Sequence, residues 1–435
     1  MSRGGLIRRY PVLAIRDFRL LLGDRLIAPA SVGFSMVGVS FAVLAATNSP
    51  VDLSYVLAAQ IAPSLIFALI GGVAADRFPP QRVIVIANLL MALGEGTFGV
   101  LAVASHHPPL WAMIFLEMIT GTGVALFYPA SQALLPRIVP DAMLQDASAI
   151  SRLAMNTGQM AGAAAAGLLV AVAGAGAALL ICGAGMIATV PLLMSIQGAR
   201  HDPRSGDSDA APSLLSELRE GWSEFRSHTW LWVIVAQFSI VLMSWYGAFS
   251  VLGPVVAKAH LGGPAAWGAI TAADACGLIA GGLVSLRFTP RRPMLFVVLC
   301  GAAIAISPLS LALVLPLAAV CAASFGLGVF IEMMMVVWTV TMARNITPDK
   351  LARVSSYDVL GSVMTMPIGA LLAGLVAHAI GVSRAQYAAA AVIVLASALA
   401  LIPRDIRTIR NSTPVTPQER AEAETAAEAL EILPH

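Results

Sequence analysis

Apolar residues run in blocks of about 20 or more along most of this chain, separated by short polar or basic turns. Blocks of that length cross a hydrocarbon core as α-helices. None shows the roughly ten-residue alternation of a transmembrane strand. The pattern places twelve spans. The first six are residues 20–45, 53–75, 83–105, 110–135, 148–173 and 175–196; the second six are 230–257, 265–286, 293–315, 317–343, 357–380 and 385–403. Several spans carry an internal proline (Pro29, Pro63, Pro129, Pro254, Pro367), which a lipid-embedded helix tolerates when neighbours recover the freed backbone groups. The expected fold is an all-α membrane protein, with twelve transmembrane helices in two pseudo-symmetric six-helix bundles.

The polar stretches divide the chain further. Residues 1–196 form the first bundle and 230–403 the second, with a linker at 197–229 and a tail at 404–435. Within the linker, Leu214, Leu215, Leu218, Trp222 and Phe225 fall on one helical face, the pattern of an amphipathic helix lying on a membrane surface. The tail ends in an Ala/Glu-rich run and contains the Asn411-Ser412-Thr413 sequon, which is functionally empty on the cytoplasmic side.

A repeat supports the two-bundle division. Gly71–Arg82 reads GGVAADRFPPQR and Gly281–Arg292 reads GGLVSLRFTPRR, with both glycines, an arginine, a phenylalanine, a proline and the last arginine in common. Each copy closes an apolar span with a basic turn. An offset of 207 aligns Leu144–Ser148 with Leu351–Ser355, and Gly162, Ala166 and Gly167 with Gly369, Ala373 and Gly374. Spans 2 and 8, 4 and 10, and 5 and 11 therefore correspond, giving halves of parallel topology. The copies differ where Asp76 in the first meets Leu286 in the second.

Composition agrees with a lipid environment. Hydrophobic residues make up 58% of the chain and charged ones 11%, far below the roughly one quarter typical of soluble domains. Mean hydropathy is +0.83. Charge is also distributed unevenly. With the N-terminus inside, the inner turns hold Arg77, Arg82, Arg137, Arg287, Arg291, Arg292 and Arg344, whereas the outer turns hold only Lys258 and Arg384. This is the positive-inside distribution, and it places both termini in the cytoplasm. The first span is too long for a secretory signal and is expected to remain as an anchor. Cys182, Cys276, Cys300 and Cys321 lie in apolar spans without CxxC spacing and read as core residues. No metal, cofactor or nucleic-acid partner is expected, and the chain is expected to be monomeric. The excess of arginine over lysine (Lys258 and Lys350 alone) and the abundance of alanine fit a bacterial source, hence the cytoplasmic (inner) membrane.

With these features in place, the chain resembles the major facilitator superfamily over nearly its whole length. The turn after span 2 resembles that family's G-x-x-x-D-R-x-x-x-R-R motif through Gly72, Asp76, Arg77 and Arg82, with Gln81 at the other basic position. The resemblance implies a conformational latch: Gly72 allows close packing, Asp76 faces the positive N-terminus of span 11, and the arginines sit at the lipid surface. Arg16–Leu26, Phe127–Pro140 and Leu218–Leu231 resemble the bacterial drug:proton antiporter branch that includes macrolide-efflux-like proteins. Two departures stand out. Glu117 occupies the position of that branch's span-4 arginine. The span-5 antiporter motif keeps its small residues as Gly158, Gly162, Ala163, Ala166 and Gly167 but loses its proline. Together with Gly369 and Gly374 these glycines are the expected helix-packing seam.

Acids inside lipid cost about 3 kcal/mol or more each, so each calls for a reason. Five lie within spans: Asp24, Glu95, Glu117, Asp274 and Glu332. The resemblance implies that spans 1, 4, 7 and 10 line a central cavity, which puts Asp24, Glu117 and Glu332 on the pathway. A carboxylate in poorly hydrated surroundings can bind and release a proton near neutral pH. Glu332 is the first candidate for proton coupling, being near mid-span with no basic residue close in sequence. Asp274 is second, with a helix–helix hydrogen bond as its other role. Glu117 binds either a proton or a cationic substrate, and Asp24 either couples protons or pairs with Arg25 or Arg152. Glu95, on span 3, is expected to be structural. Helical spacing adds Tyr128 and Gln132 to the Glu117 face and Thr339 to the Glu332 face, with Ser31, Ser35, Gln237 and Ser244 on spans 1 and 7, as cavity or substrate residues. Met333–Met335, Trp245, Tyr246 and Trp338 either form a soft apolar wall for ligands or face lipid.

The resulting expectation is a secondary active transporter, not an enzyme, exporting hydrophobic or amphipathic small molecules such as drugs or natural products by proton-coupled alternating access. The alternatives are an importer or lysophospholipid flippase on the same fold, and a non-transporting membrane sensor or enzyme. Neither lysine lies in a GxxxxGK[ST] loop, which disfavours an ATP-driven pump.

Overall fold

The computed structural model of the chain describes residues 10–77, 79–105, 107–197, 222, 225–346, 354, 357–358, 361–362 and 364–408, with backbone alone over 64–77. After a 3-10 turn at Pro11–Ala14, the first half holds α1 (Arg16–Ala46), α2 (Pro50–Arg77), α3 (Pro80–Ala104), α4 (Leu110–Ile138), α5 (Leu144–Ala173) and α6 (Ala175–Met194). The second holds α7 (Thr229–Leu261), α8 (Pro264–Ser285), α9 (Pro293–Ala312), α10 (Leu317–Asn345), α11 (Met366–Ile380), α12 (Val382–Ala400) and the short α13 (Arg404–Thr408). Among the described residues, ten helices are long and apolar enough to cross a membrane. The helix α11 is shorter but apolar, and α2 runs for 28 residues. Such helices satisfy their own backbone groups, as hydrocarbon requires.

Several helices outrun the apolar blocks that predict them. The first begins at Arg16 and the fourth ends at Ile138, because helix geometry continues through polar turns beyond the apolar stretch. Two helices are distorted. In α7, Gly247–Val251 and Ala257–Leu261 form π turns, and the first lies just before Pro254, whose ring crowds the carbonyl of Ser250. In α9 the chain tightens at Ile304 and Ala305, four residues ahead of Pro308, which cannot donate to Ile304.

Packing repeats from half to half. In the first, α1 lies on α5 and α6, α3 on α4 and α6, and α2 on α4; in the second, α7 lies on α11 and α12, α9 on α10 and α12, and α8 on α10. The halves meet through α5 with α8 and through α2 with α11, which are each other's symmetry counterparts. The turns obey the same repeat: Gly174 (φ 84°) joins α5 to α6 and Gly381 (φ 90°) joins α11 to α12, in left-handed backbone that glycine adopts without penalty.

Small residues let these backbones approach. A Cβ on Gly162 would collide with the Ala30 carbonyl of α1, and one on Gly369 with the Met243 carbonyl of α7. Gly158 sits likewise against Leu26 of α1. Between the halves, a Cβ on Gly167 would lie 2.8 Å from the Gly268 Cα of α8, and one on Gly374 would lie 3.0 Å from the Val51 Cα of α2. Because lipid gives helices no hydrophobic drive to associate, such close contact supplies much of the cohesion. We expect Gly162→Leu to lower stability by about 1–3 kcal/mol through overpacking, read as earlier thermal unfolding in detergent. Unchanged unfolding would show that α1 and α5 do not pack this closely.

The two ends of the bundle differ. At the arginine-poor end the apolar cores bridge the halves. Val37, Phe41 and Val170 pack with Phe249, Val256 and Trp267, and Val43, Leu53 and Val56 with Val251, Leu252 and Ala370. Lys258 of α7 adds a polar tie, its Nζ donating to the Leu44 carbonyl at 2.7 Å and to Asn48 Oδ1 at 2.9 Å beyond α1. At the arginine-rich end each core stays within one half: Leu21, Ile84, Phe127 and Leu193 in the first, Trp230, Met294, Val337 and Trp338 in the second. The molecule is sealed at its arginine-poor end and divided at the other. Of the expected amphipathic linker helix, Leu214, Leu215 and Leu218 lie outside the described residues. Trp222 stacks on Phe225 at 5.7 Å, and Phe225 is buried in the second-half core. The tail beyond 408 also lies outside them.

Candidate transport pathway and its buried charges

Charged and polar side chains inside the helices fall into three groups. The first lies in the arginine-rich half of α1. Asp24 and Arg25 are both buried there, yet they do not form the direct ion pair that their adjacency suggests. Successive helix residues point in different directions. Asp24 Oδ1 accepts from Asn88 Nδ2 of α3 at 3.2 Å, and Asn88 also donates to Thr189 Oγ1 of α6 at 2.7 Å. Arg25 turns to α4, where Nη1 donates to Ser131 Oγ and Nη2 to the Ser131 carbonyl at 2.8 Å. Arg152 is not Asp24's partner either.

The second group lies nearer the sealed end. Glu95 of α3 and Glu117 of α4 are 1% and 0% exposed, and Glu117 lies within electrostatic reach of Glu95. Ser35 Oγ of α1 donates to Glu95 Oε1 at 2.5 Å. Gln60 Nε2 of α2 donates to Glu117 Oε2 at 2.8 Å. Glu95, expected to be a peripheral structural acid, is thus central to the first bundle, because its face of α3 turns toward α4 and α1. Gln60 carries no sequence signal beyond being a polar residue in an apolar block.

The third group is in the second half. Asp274 of α8 has one buried carboxylate oxygen, Oδ1, without a hydrogen-bond partner. Its own carbonyl lies where a Cβ on Gly328 would fall, so α8 and α10 touch there. The same contact in the first half puts Gly121 on the Gln60 backbone. Gln60 of α2 thus stands to Gly121 of α4 as Asp274 of α8 stands to Gly328 of α10. Glu332 is not the unpaired mid-span acid that the sequence suggests. Arg152 Nη1 of α5 reaches Glu332 Oε1 of α10 at 3.0 Å across the two halves. The two residues are 180 positions apart, so sequence proximity gave no sign of the pair. Gly281 and Gly282 of the repeated turn flank Glu332, within 3.0 Å of its Cβ and 3.7 Å of its Cγ if given a Cβ.

The comparisons with known proteins bear on what this architecture is. The family model described as Major Facilitator Superfamily matches residues 26–315. This chain belongs to that superfamily. Among its relatives, macrolide efflux protein A of Streptococcus pyogenes is 24% identical over 349 residues, covering 78% of this chain and 83% of that protein. Enterobactin exporter EntS of Escherichia coli O1:K1 / APEC is 26% identical over 415 residues, covering 94% and 96%. The fold matches a solved POT family transporter in complex with a thioalcohol conjugated peptide, with a TM-score of 0.70 at 12% identity over 91% of this chain and 97% of that one. The nucleoside transporter NupG (D323A mutant) matches with a TM-score of 0.66 at 12% identity over 87% and 99%. The protein is therefore a multi-pass membrane transporter and not an enzyme.

In this superfamily member the other sequence-predicted residues separate into pathway and packing positions. Tyr128 and Gln132 of α4, and Met335 and Thr339 of α10, are exposed toward the divided end. Ser244 of α7 is half-buried. Ser31 does not face a cavity: its hydroxyl bonds to the Ile27 carbonyl at 2.9 Å and sits against Gly185 of α6. Ser35 is taken up by Glu95. Gln237 faces α12, donating to Ser397 Oγ at 3.0 Å, because its side of α7 turns inward within the second half. Met334 and Trp338 belong to the second-half core, and Met333 is buried too, so none of them forms an exposed wall. Trp245 stacks on Phe249 at 5.4 Å. The side chains of Gly72, Asp76 and Arg77 lie outside the described residues; Arg82 is exposed, and Gln81 Nε2 ties the start of α3 to the Leu193 carbonyl of α6 at 2.5 Å.

Proposed function

We propose that this transporter is a proton-driven exporter of hydrophobic or amphipathic small molecules in a bacterial inner membrane. The observation that carries this reading is the set of acids in the helices that form the two bundles: Asp24, Glu95 and Glu117 are buried, Asp274 is half-buried with one oxygen enclosed, and none forms a described ion pair. Acids held in that way in lipid are retained for a function, and ion or proton movement is the function a transporter needs them for. The similarity to a protein named as a macrolide efflux protein over 78% of the chain, and to one named as an enterobactin exporter over 94%, supports export.

By the positive-inside rule the arginine-rich end faces the cytoplasm. The described arrangement is then open to the cytoplasm and sealed outside by the α1–α7 and α2–α11 contacts. A substrate enters between α4 and α10, where Tyr128, Gln132, Met335 and Thr339 offer aromatic, thioether and hydroxyl contacts. Export follows when the outer seal, including Lys258, parts and the inner ends close. Glycine in the latch turn and the arginines of Gly71–Arg82 serve that closure.

Proteoliposomes containing the full chain test the proposal with a macrolide, enterobactin and a lysophospholipid as separate substrates. A pH gradient should drive accumulation of the macrolide or enterobactin, and adding that substrate should release a proton flux. Active transport that ignores the pH gradient would reject proton coupling; movement of lysophospholipid alone would reject small-molecule export.

A further inference from the structure

Glu95 and Glu117 are both buried, on neighbouring helices that pack closely beside them. A Cβ on Gly94 would collide with Thr120 Oγ1 and lie 2.8 Å from the Leu116 carbonyl, so α3 and α4 are in near-backbone contact beside both acids. Each carboxylate has a single donor: the Ser35 hydroxyl on one oxygen of Glu95, the Gln60 amide on one oxygen of Glu117. The remaining oxygens, Glu95 Oε2 and Glu117 Oε1, have no hydrogen-bond partner, nor does the buried Thr120 Oγ1. No described cation forms an ion pair with either acid. Besides α1 to α4, the elements whose titratable groups face the pair are α6, with Cys182, and α7, with Tyr246; both feel the charge of Glu117.

Two adjacent carboxylates cut off from water and cations cannot both stay ionised. A carboxylate only accepts hydrogen bonds, so the free oxygens of two ionised acids have nothing to offer each other until one is protonated. One proton then gives a donor to one acid and an acceptor to the other. A hard metal ion is a poorer occupant, because it asks for about six or more oxygen ligands and three are free here. Resting on the proton-driven reading above, we propose that Glu95 and Glu117 form one shared proton-binding site that carries the coupling proton.

The position of the site fits that role. It lies toward the sealed end, where α1, α2, α3 and α4 converge, and Tyr246 packs over the surrounding core from the other half. The π turn of α7 begins at the next residue, Gly247, and π turns in helices are frequent at functional sites. Withdrawal of α7 during outward opening uncovers the acids from the outer side. Among the described residues of the second half, no acid is as fully buried as Glu95 and Glu117.

The test uses the full chain in proteoliposomes with the parent, Glu95→Gln, Glu117→Gln and the double variant. Two quantities are followed: pH-gradient-driven transport relative to substrate exchange without a gradient, and the infrared band of protonated carboxyl groups. Each single variant should lose gradient-driven transport by about tenfold or more, a larger loss than that of exchange, and should lose or shift the carboxyl band. The double variant should be no worse than the poorer single, because both residues hold the same proton. Losses that multiply, or a single variant with the parent's coupling, would overturn the shared site. So would transport driven by a sodium gradient in place of protons. If Glu95→Gln fails to fold, Glu95→Asp is read by the same band, and an unmoved band would likewise overturn the proposal. A parent with the band but with gradient-independent transport would instead remove the coupling reading and leave the proton site standing.

Discussion

Arg152→Glu is expected to cut transport by about tenfold, and the exchange Arg152→Glu with Glu332→Arg to bring it back to within about threefold of the parent. The Arg152–Glu332 contact is an ion pair that joins the two halves. Arg152 is 66% exposed and Glu332 13%, so water screens the attraction and a neutral replacement has a small effect. Reversal has a larger one, because it presses two carboxylates together beside the α8 glycines. The pair lies next to the α5–α8 seam, which must slide when the inner ends close. A like-charge contact there shifts the balance between the two arrangements, and turnover needs both. The exchange variant also separates two roles for Glu332. If Glu332 is the proton carrier that its mid-span position suggests, placing arginine there abolishes coupling despite the restored pair. Recovery of coupled transport in the exchange variant excludes that role. The measurement is substrate accumulation per amount of folded protein, so that expression differences do not enter.

Fold was far more legible in the sequence than pairing. A long apolar span is a local property, and lipid leaves it one main solution, so helices could be placed from composition alone. The offset that aligned Gly162 with Gly369 and Gly167 with Gly374 matches the contacts these glycines make, the first pair each within its own half and the second pair each against the other half, because a repeat carries its packing surface with it. The repeat is also informative where it breaks: alanine stands at 125, the counterpart of Glu332, so the Arg152–Glu332 pair exists on one side only. Side-chain partners were less legible because they depend on helix rotation to within a few tens of degrees. A shift of one residue turns a helix face by about 100°. Asp24 and Arg25 adjoin in sequence but serve α3 and α4 separately, and Glu95 looked peripheral because α3 lies at the edge in the family's general plan. Ser31 and Gln237 fell on the expected helices but on faces that turn to α6 and α12.

The second large effect is structural. Arg25→Met should destabilise the protein by about 3–5 kcal/mol, the range for breaking one side of a buried charged network. Arg25 is 5% exposed, and its guanidinium holds both the hydroxyl and the carbonyl of Ser131. It also packs on Met155 Sδ of α5 at 3.8 Å, so one side chain ties α1 to α4 and α5. Methionine fills similar space and keeps the contact with Met155, but it leaves Ser131 without its donor. It also removes the neighbouring positive charge from Asp24, whose described hydrogen bond comes from Asn88. Arg25→Lys keeps the charge and loses the two-pronged geometry, so an intermediate loss is expected. Asp24→Asn added to Arg25→Met removes the stranded carboxylate and should recover at least half of the lost stability, because replacing both charges of a buried set costs much less than removing one. Thermal unfolding in detergent distinguishes these outcomes. If Arg25→Met unfolds with the parent, the clamp on Ser131 contributes nothing to the bundle. If the double variant recovers stability but not transport, Asp24 or Arg25 also acts in the transport cycle, and the polar cluster they share with Asn88 and Thr189 becomes the next place to look for it.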